Sequence, residues 1–398
     1  MISNNWKNYK FSEIAELRKE QIAPNGKEQP YIGLEHIEQQ TLRLNGIGNS
    51  TGLASNKFKF YKGDILYGKL RPYFRKVYYA DFDGVCSTDI FVIKNKSRID
   101  KHFLYYLIAT EEFTRIANSG STGTHMPRAD WNQLVETEWI LPEDEQIQNR
   151  IGNILFSLDT KIDLNRKINQ TLEQIVSALF QEMCVSKSVE LEKGWQLLKL
   201  SEFIDLKNGY AFKGMDFIEE GVPVIKIKNV KTGKVILNQL SYVSREIADK
   251  AQRFRIKQND LLVTMSGNRI DGTPETWVGK VGIFHRDGEY LLNQRVSILN
   301  IIDESKMSKY FLSQLLSSEE YQYYFISNAT SSGGQANISP DLIYNTEIVV
   351  PPIEQLQQFN KLAKDIYNKI FANELEVETL TNLRDNLLPK LMKGEIKV

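Results

Sequence analysis

The chain has 398 residues, 41% hydrophobic and 25% charged, with 50 basic against 50 acidic side chains. That length exceeds one hydrophobic core, and the balance is that of a soluble, folded protein of two or more domains. Two cysteines (Cys86 and Cys184) and four histidines argue against a disulfide framework or a structural zinc site, and no apolar run reaches the length of a membrane span.

In chain order, residues 6–20 predict a short amphipathic helix with Phe11, Ile14 and Leu17 apolar and Ser12 as cap. Residues 1–14 lack the basic and apolar regions of a signal peptide, so the expected compartment is the cytoplasm. Residues 29–36 predict a strand entered through Pro30, and the Gly-, Asn- and Ser-rich stretch 41–56 a loop. Strands are expected at 57–60, 64–67, 74–79 and 89–94, then a helix over 101–116. A small-residue loop follows at 118–125, able to bring N–H groups and hydroxyls close to a phosphate or a base edge.

From Glu145 to Cys184 the chain carries no Pro and one Gly. Ile151, Ile154, Leu155, Leu158, Ile162, Ile168, Leu172, Ile175, Leu179 and Met183 recur three or four apart, an apolar stripe on one helix face that thins at Asn165–Lys167. Such a helix is about 60 Å long at 1.5 Å per residue and needs a partner helix. The partner begins near Glu354, where Leu356, Phe359, Leu362, Ile366, Ile370, Val377, Leu380, Leu387 and Leu391 form a second stripe, broken at Asn373. Pro142 and Pro351–Pro352 stand just before the two helices, where a missing N–H costs nothing, and Asp144 is placed to cap the first.

The whole chain is a duplication. The motif at Trp6–Ile14 returns at Trp195–Phe203, Gly63–Gly68 at Asn259–Thr264, and Thr137–Pro142 at Thr346–Pro351. The second copy repeats the strands at 221–230, 252–256, 260–265, 278–284 and 295–301, the helix at 308–325, and a small-residue loop at 328–335. The expected fold is α/β of the α+β type. Two homologous mixed domains, 1–143 and 187–352, are each followed by a long helix, 144–186 and 353–398. The helices pair as an antiparallel coiled coil with pseudo-two-fold symmetry, placing the domains at opposite ends of a rod.

Zero net charge hides local runs. Lys57, Lys59, Lys62, Lys69, Arg71, Arg75 and Lys76 fall within a short stretch opposed by Asp64, and a milder run covers Lys226–Lys234 and Arg245–Lys257. Each is either a solvated face or the basic footprint of a nucleic-acid groove. The run GDILYGK at 63–69 matches part of a phosphate-cradling loop, but Leu70 stands where Ser or Thr must hold magnesium, and Ile65–Tyr67 is strand-like. No Gly-x-Gly-x-x-Gly, His-Glu-x-x-His, Gly-x-Ser-x-Gly or Asn-Pro-Pro-aromatic motif occurs, so no catalytic residues and no metal site are expected.

The stretch GDILYGKLRPY at 63–73, the stretch Asp81–Asp89, and the openings Leu141–Gln146 and Pro351–Gln355 resemble the specificity subunits of type I restriction–modification enzymes. The resemblance extends over essentially the whole chain, duplication included. It implies two target-recognition domains, each reading one half of a split double-stranded DNA target. It also implies a coiled coil that sets the gap and docks two modification subunits. Those partners carry S-adenosylmethionine and adenine N6-methylation, and restriction subunits complete the assembly, while the chain itself holds no cofactor. A helix of this length exceeds one turn of B-DNA, about 34–36 Å, and so suits an unread gap. A different class of function, a protein-interaction scaffold built on the long helices, stands as the alternative.

On this reading Arg71, fixed beside Pro72, suits a guanine edge, unless it pairs with Asp64 or Asp81. Lys59, Lys62 and Lys76 suit phosphates, and Lys69 and Arg75, like Arg71 and Lys76, flank or follow the 64–67 strand. In the second domain Arg269 and Arg295 are the expected base readers, with Thr124, His125, Ser332 and Gln335 in the repeated loops as secondary candidates. The copies diverge at Ser266–Trp277, which implies different half-sites. Phe156, Val176, Phe180, Phe371 and Leu375 lie off the apolar seam and are the expected docking positions for modification subunits.

Overall fold

The computed structural model describes residues 6–23, 26–119, 126–185, 193–269, 273–332 and 334–398. The chain divides into two compact units, one of Met1–Arg166 with Leu375–Val398 and one of Lys167–Glu374. Each is a mixed α/β domain, and both long helices, Glu145–Cys184 and Ile353–Met392, contribute residues to each.

The first unit does not open on a helix. Trp6–Lys10 is a strand paired antiparallel with Glu138–Pro142, Phe11–Ile14 is a single helical turn, and Ala15–Leu17 pairs with Ile90–Asn95. Phe11 and Ile14 do share one buried face, but the flanking residues find strand partners far along the chain, and that pairing overrides the local periodicity. An antiparallel sheet orders Ala15–Leu17, Ile90–Asn95, Ile65–Gly68 and Val77–Tyr79. A second, mixed sheet sets Pro30–Ile32 parallel to Gly84–Cys86. The expected helix over 101–116 is two helices, Lys101–Ile108 and Glu111–Ser119. Thr110 interrupts them: its hydroxyl accepts the Phe113 N–H at 3.1 Å and starts the second. Phe11, Tyr67, Phe103 and Phe113 fill the core completely buried, with Phe11 and Phe113 centroids 5.4 Å apart.

The second unit repeats this plan. Val222–Ile225 lies parallel to Tyr290–Leu292, Leu261–Thr264 lies between Val296–Ile301 and Val281–Ile283, and the helical segment again splits, into Lys309–Leu316 and Glu319–Asn328. The equivalence of the two parallel pairs extends the duplication from sequence motifs to strand topology.

Asp144 caps the first long helix, accepting the Gln146 N–H at 2.8 Å. Gly152 lets the short helix at Lys101–Ile108 approach: a Cβ there would lie 2.8 Å from the Phe103 nitrogen. Within the first unit the long helices run antiparallel, Arg384 meeting Asp159 at 2.6 Å and Glu376 meeting Asn165 at 2.7 Å. Within the second, Asn373 meets Asn169 at 2.8 Å and the rings of Phe180 and Phe359 lie 6.0 Å apart. The polar gaps in both stripes are therefore buried hydrogen-bonded layers: Asn165, Asn169 and Asn373 are all buried.

That layer corrects the seam. The buried row of the first helix runs Ile151, Leu155, Ile162, Asn165, Asn169, Val176, Phe180, Cys184, whereas Ile154 and Ile175 are exposed. Treating the asparagines as a gap shifts the stripe onto the neighbouring row, and the 3.6-residue period restores it once they are counted as core. Leu362 on the second helix is likewise exposed. No described helix is long and apolar enough to cross a membrane.

Candidate nucleic-acid interface

In the first domain the strand Ile65–Gly68 continues into Lys69–Arg71, which is zipped to residues 127–129. Ala129 N–H donates to the Lys69 carbonyl at 2.8 Å, Arg71 N–H donates to the Pro127 carbonyl at 2.8 Å, and Leu70 bridges Arg128. Beyond it, Pro72–Phe74 is one turn of 3-10 helix flanked by Arg71 and Arg75, both in the left-handed region at φ 52° and 45°. Two non-glycine residues held there store backbone strain, which surrounding structure must impose. Tyr73 at the tip is exposed.

The second domain builds the same ribbon. Ser266–Gly267 pairs with Gln335–Asn337, which pairs with Thr330–Ser332. Ile338 N–H donates to the Met265 carbonyl at 3.0 Å, matching Ala129 on Lys69. Among the described residues the turn carrying Pro72 has no counterpart here, and Pro274–Thr276 forms a different 3-10 turn.

Of the expected contact residues, Arg71 has no carboxylate partner among the described residues. Asp64 is taken by Arg18 at 2.8 Å and Asp81 by Tyr78, so the structural pairing considered for Arg71 does not occur. Its guanidinium lies 6.0 Å from the Phe74 ring. Lys62 is exposed, and Lys69 sits 5.7 Å from the Phe91 ring. Lys59 pairs with Glu20 at 2.6 Å, an exposed and therefore weak pair that a phosphate can displace. Arg75 is more constrained, reaching the Gln40 carbonyl at 3.5 Å and Glu111 at 3.8 Å. Lys76 is not a free phosphate contact: its ammonium donates to the Leu34 carbonyl, and burial pushes its pKa down. Thr124 and His125 lie outside the described residues.

In the second domain the expected residues converge. Arg295 donates to the Gln335 side-chain oxygen, and Arg269 donates to the Ala329 carbonyl at 2.6 Å, beside the strand that ends at Ser332. Arg245 and Arg255 instead share Glu289, each at 2.5 Å, which neutralises that part of the second basic run. Asp89 belongs to the acidic stretch Asp81–Asp89, but its pairing with Arg128, 3.5 Å away on the first ribbon, escapes a sequence reading because the two are distant in the chain.

The docking positions also change. Val176 and Phe180 are 0% and 2% exposed in the core of the second unit and are not available to a partner. Phe156 stacks on His102 at 3.9 Å and Phe371 on His285 at 4.6 Å. Leu375 is 55% exposed, as are smaller fractions of Ile154, Leu164, Ile175, Leu362 and Leu383 on the same two helices. Among the described residues no group of three or more His, Cys, Asp or Glu side chains is placed to hold a metal ion.

Comparison with known proteins agrees with this architecture. The family model described as the type I restriction modification DNA specificity domain matches twice, over residues 3–174 and 192–379. The chain is 26% identical over 328 residues to the type I restriction enzyme MjaVIII specificity subunit of Methanocaldococcus jannaschii, covering 79% of this chain and 75% of that one. It is 25% identical over 432 residues to the HindI specificity subunit of Haemophilus influenzae, covering 89% and 90%. The crystal structure of a type I restriction–modification S subunit from M. genitalium shares the fold, with a TM-score of 0.62 at 17% identity over 98% of this chain and 96% of that one. With two matched domains spanning most of its length, the chain belongs to the type I restriction–modification DNA specificity family, as a sequence-specific DNA-binding specificity subunit that directs modification and restriction.

Proposed function

We propose that the chain reads a bipartite duplex, one half by residues 1–143 and the other by residues 187–352. The helical segments 144–186 and 353–398 act as the spacer between the reading heads. The carrying observation is the repeated ribbon. Equivalent backbone bonds hold Lys69–Arg71 and Met265–Gly267, yet the side chains they present differ, Arg71 in one and Arg269 with Arg295 in the other. A shared scaffold with different side chains is what two different half-sites require. Arg71, Arg269 and Arg295 supply paired donors to guanine edges, and Lys59, Lys62 and Lys69 supply sequence-independent charge to phosphates.

The exposed apolar side chains of the long helices, Leu375 foremost, dock two modification subunits. Those subunits bring S-adenosylmethionine and the pocket into which the target adenine is flipped, and restriction subunits join the same complex. This chain supplies address and spacing, and the methyl transfer takes place on its partners.

The test uses the assembled complex and duplexes carrying its target, first identified from methylated sites in a random pool. Arg295→Ala should relax selectivity at one base pair of one half-site and leave the other half untouched, at a cost of about 1–3 kcal/mol on the cognate. Lys62→Ala should weaken all duplexes alike and reduce the salt slope by about 1. Arg295→Ala losses spread over both half-sites would contradict separate reading by two domains.

A further inference from the structure

Asp89 and Arg295 occupy equivalent places. The Asp89 carbonyl accepts the Lys69 N–H at 2.9 Å, and the Arg295 carbonyl accepts the Met265 N–H at 2.8 Å. Lys69 and Met265 in turn accept from Ala129 and Ile338, so both ribbons share one register. At these matched positions the side chains have opposite charge. Arg295 is steadied by the Gln335 amide oxygen from the facing strand. In the first domain the place of Gln335 is taken by Met126, which is exposed, and the guanidinium comes instead from Arg128 on that same facing segment. Its Nε lies 3.5 Å from Asp89 Oδ1. Both domains therefore present a guanidinium held by an acceptor across the ribbon, with donor and acceptor exchanged between the two sides.

We propose that Arg128 is a base-reading residue of the first domain and Asp89 its positioning residue, with a guanine major-groove edge as the group recognised. The inference rests on the bipartite reading above. A purely structural pair is the competing account, and three observations count against it. The side chains are 51% and 33% exposed, so the pair adds little to folding. The separation is longer than a hydrogen bond, so Asp89 orients the guanidinium without consuming its donors. The ribbon is already closed by backbone hydrogen bonds on either side of Arg128. Among the described residues no second carboxylate pairs with Arg128, so its terminal amines remain available to a ligand. A guanidinium with two free parallel donors matches O6 and N7 of guanine.

The experiment measures binding of the full complex to the cognate duplex, to duplexes with each base pair of the first half-site replaced, and to an unrelated duplex. Arg128→Ala should erase discrimination at a single G·C pair by about 10- to 100-fold, while affinity for the unrelated duplex changes less than about twofold. Asp89→Asn should weaken discrimination at that same pair and no other, since the amide oxygen still faces the guanidinium, and Arg128→Lys should not restore it. Selectivity in the second half-site is the internal control for folding. Equal loss on cognate and unrelated DNA, loss spread over several pairs, or unchanged selectivity would each overturn the assignment. A wild-type complex with no preference in the first half-site would instead refute the bipartite reading itself.

Discussion

Arg384 on the second long helix donates to Asp159 on the first at 2.6 Å, and the two side chains are 4% and 17% exposed. The Tyr106 hydroxyl donates to the same carboxylate at 2.5 Å, tying the helix pair to the core of the first domain. Removing one partner from such a pair strands a poorly solvated charge. Arg384→Met should therefore destabilise the first domain by about 3–5 kcal/mol, and adding Asp159→Leu should return only part of that loss, because the Tyr106 hydroxyl is then unpaired. Denaturant unfolding followed by the fluorescence of buried Trp139 measures both; a single substitution costing well under 1 kcal/mol would contradict this.

Asn169 and Asn373 form the corresponding layer in the second unit. Asn373 donates to Asn169, which donates on to the Ile370 carbonyl at 3.1 Å. Asn373→Ala leaves a buried acceptor unpaired and should cost about 1–3 kcal/mol. Replacing both by Leu should be close to neutral in stability but loosen the helix register, because a buried polar pair penalises slipped alignments. Disulfide trapping between cysteines placed on the two helices would then capture more than one register in the double variant and one in the parent.

His102 stacks flat on Phe156, and burial lowers its pKa, with the Asn153 hydrogen bond and the Asp100 charge acting in the opposite sense. The folded domain thus binds this proton more weakly than the unfolded chain. The contribution of His102 is full above the unfolded value of about 6.5 and declines as pH falls through that value toward the lower folded one. Unfolding midpoints at pH 7.5 and 5.5 should differ less in His102→Phe than in the parent. An unchanged difference would show that other groups carry the pH dependence.

Substitutions on the helix surface should separate docking from folding. Leu375→Asp, at an exposed position, should abolish assembly with the modification subunit and leave the unfolding free energy within about 0.5 kcal/mol of the parent. Phe180→Asp should instead unfold the second domain, since that ring is buried against Phe311 and Phe359. Co-purification with the partner and thermal unfolding of each variant distinguish the two outcomes.

The long helices are legible in the sequence because a 3.6-residue pattern persists over 40 residues and outlasts any local exception. Which row forms the seam is not, because Asn165, Asn169 and Asn373 look like interruptions until their partners on the other helix are known. The strand at Trp6–Lys10 is hidden for a similar reason: its partner at Glu138–Pro142 lies a whole domain away. In the candidate interface, Arg295 and Gln335 stand out separately by residue type and loop position, and only folding brings them into contact. Arg128 carries no local signal, since its meaning depends on Asp89 across the ribbon. Lys76 and Val176 mislead for one shared reason: sequence does not reveal that a side chain is already satisfied within its own domain.

The most direct measurement is methyl incorporation from S-adenosylmethionine into a pool of random duplexes by the partner modification subunit, with and without this chain, followed by sequencing of the modified sites. Methylation confined to one bipartite sequence, present only when the chain is added and lost with Leu375→Asp, is the predicted result. Incorporation by the chain alone, or the same sequence selectivity from the partner in its absence, would contradict the account.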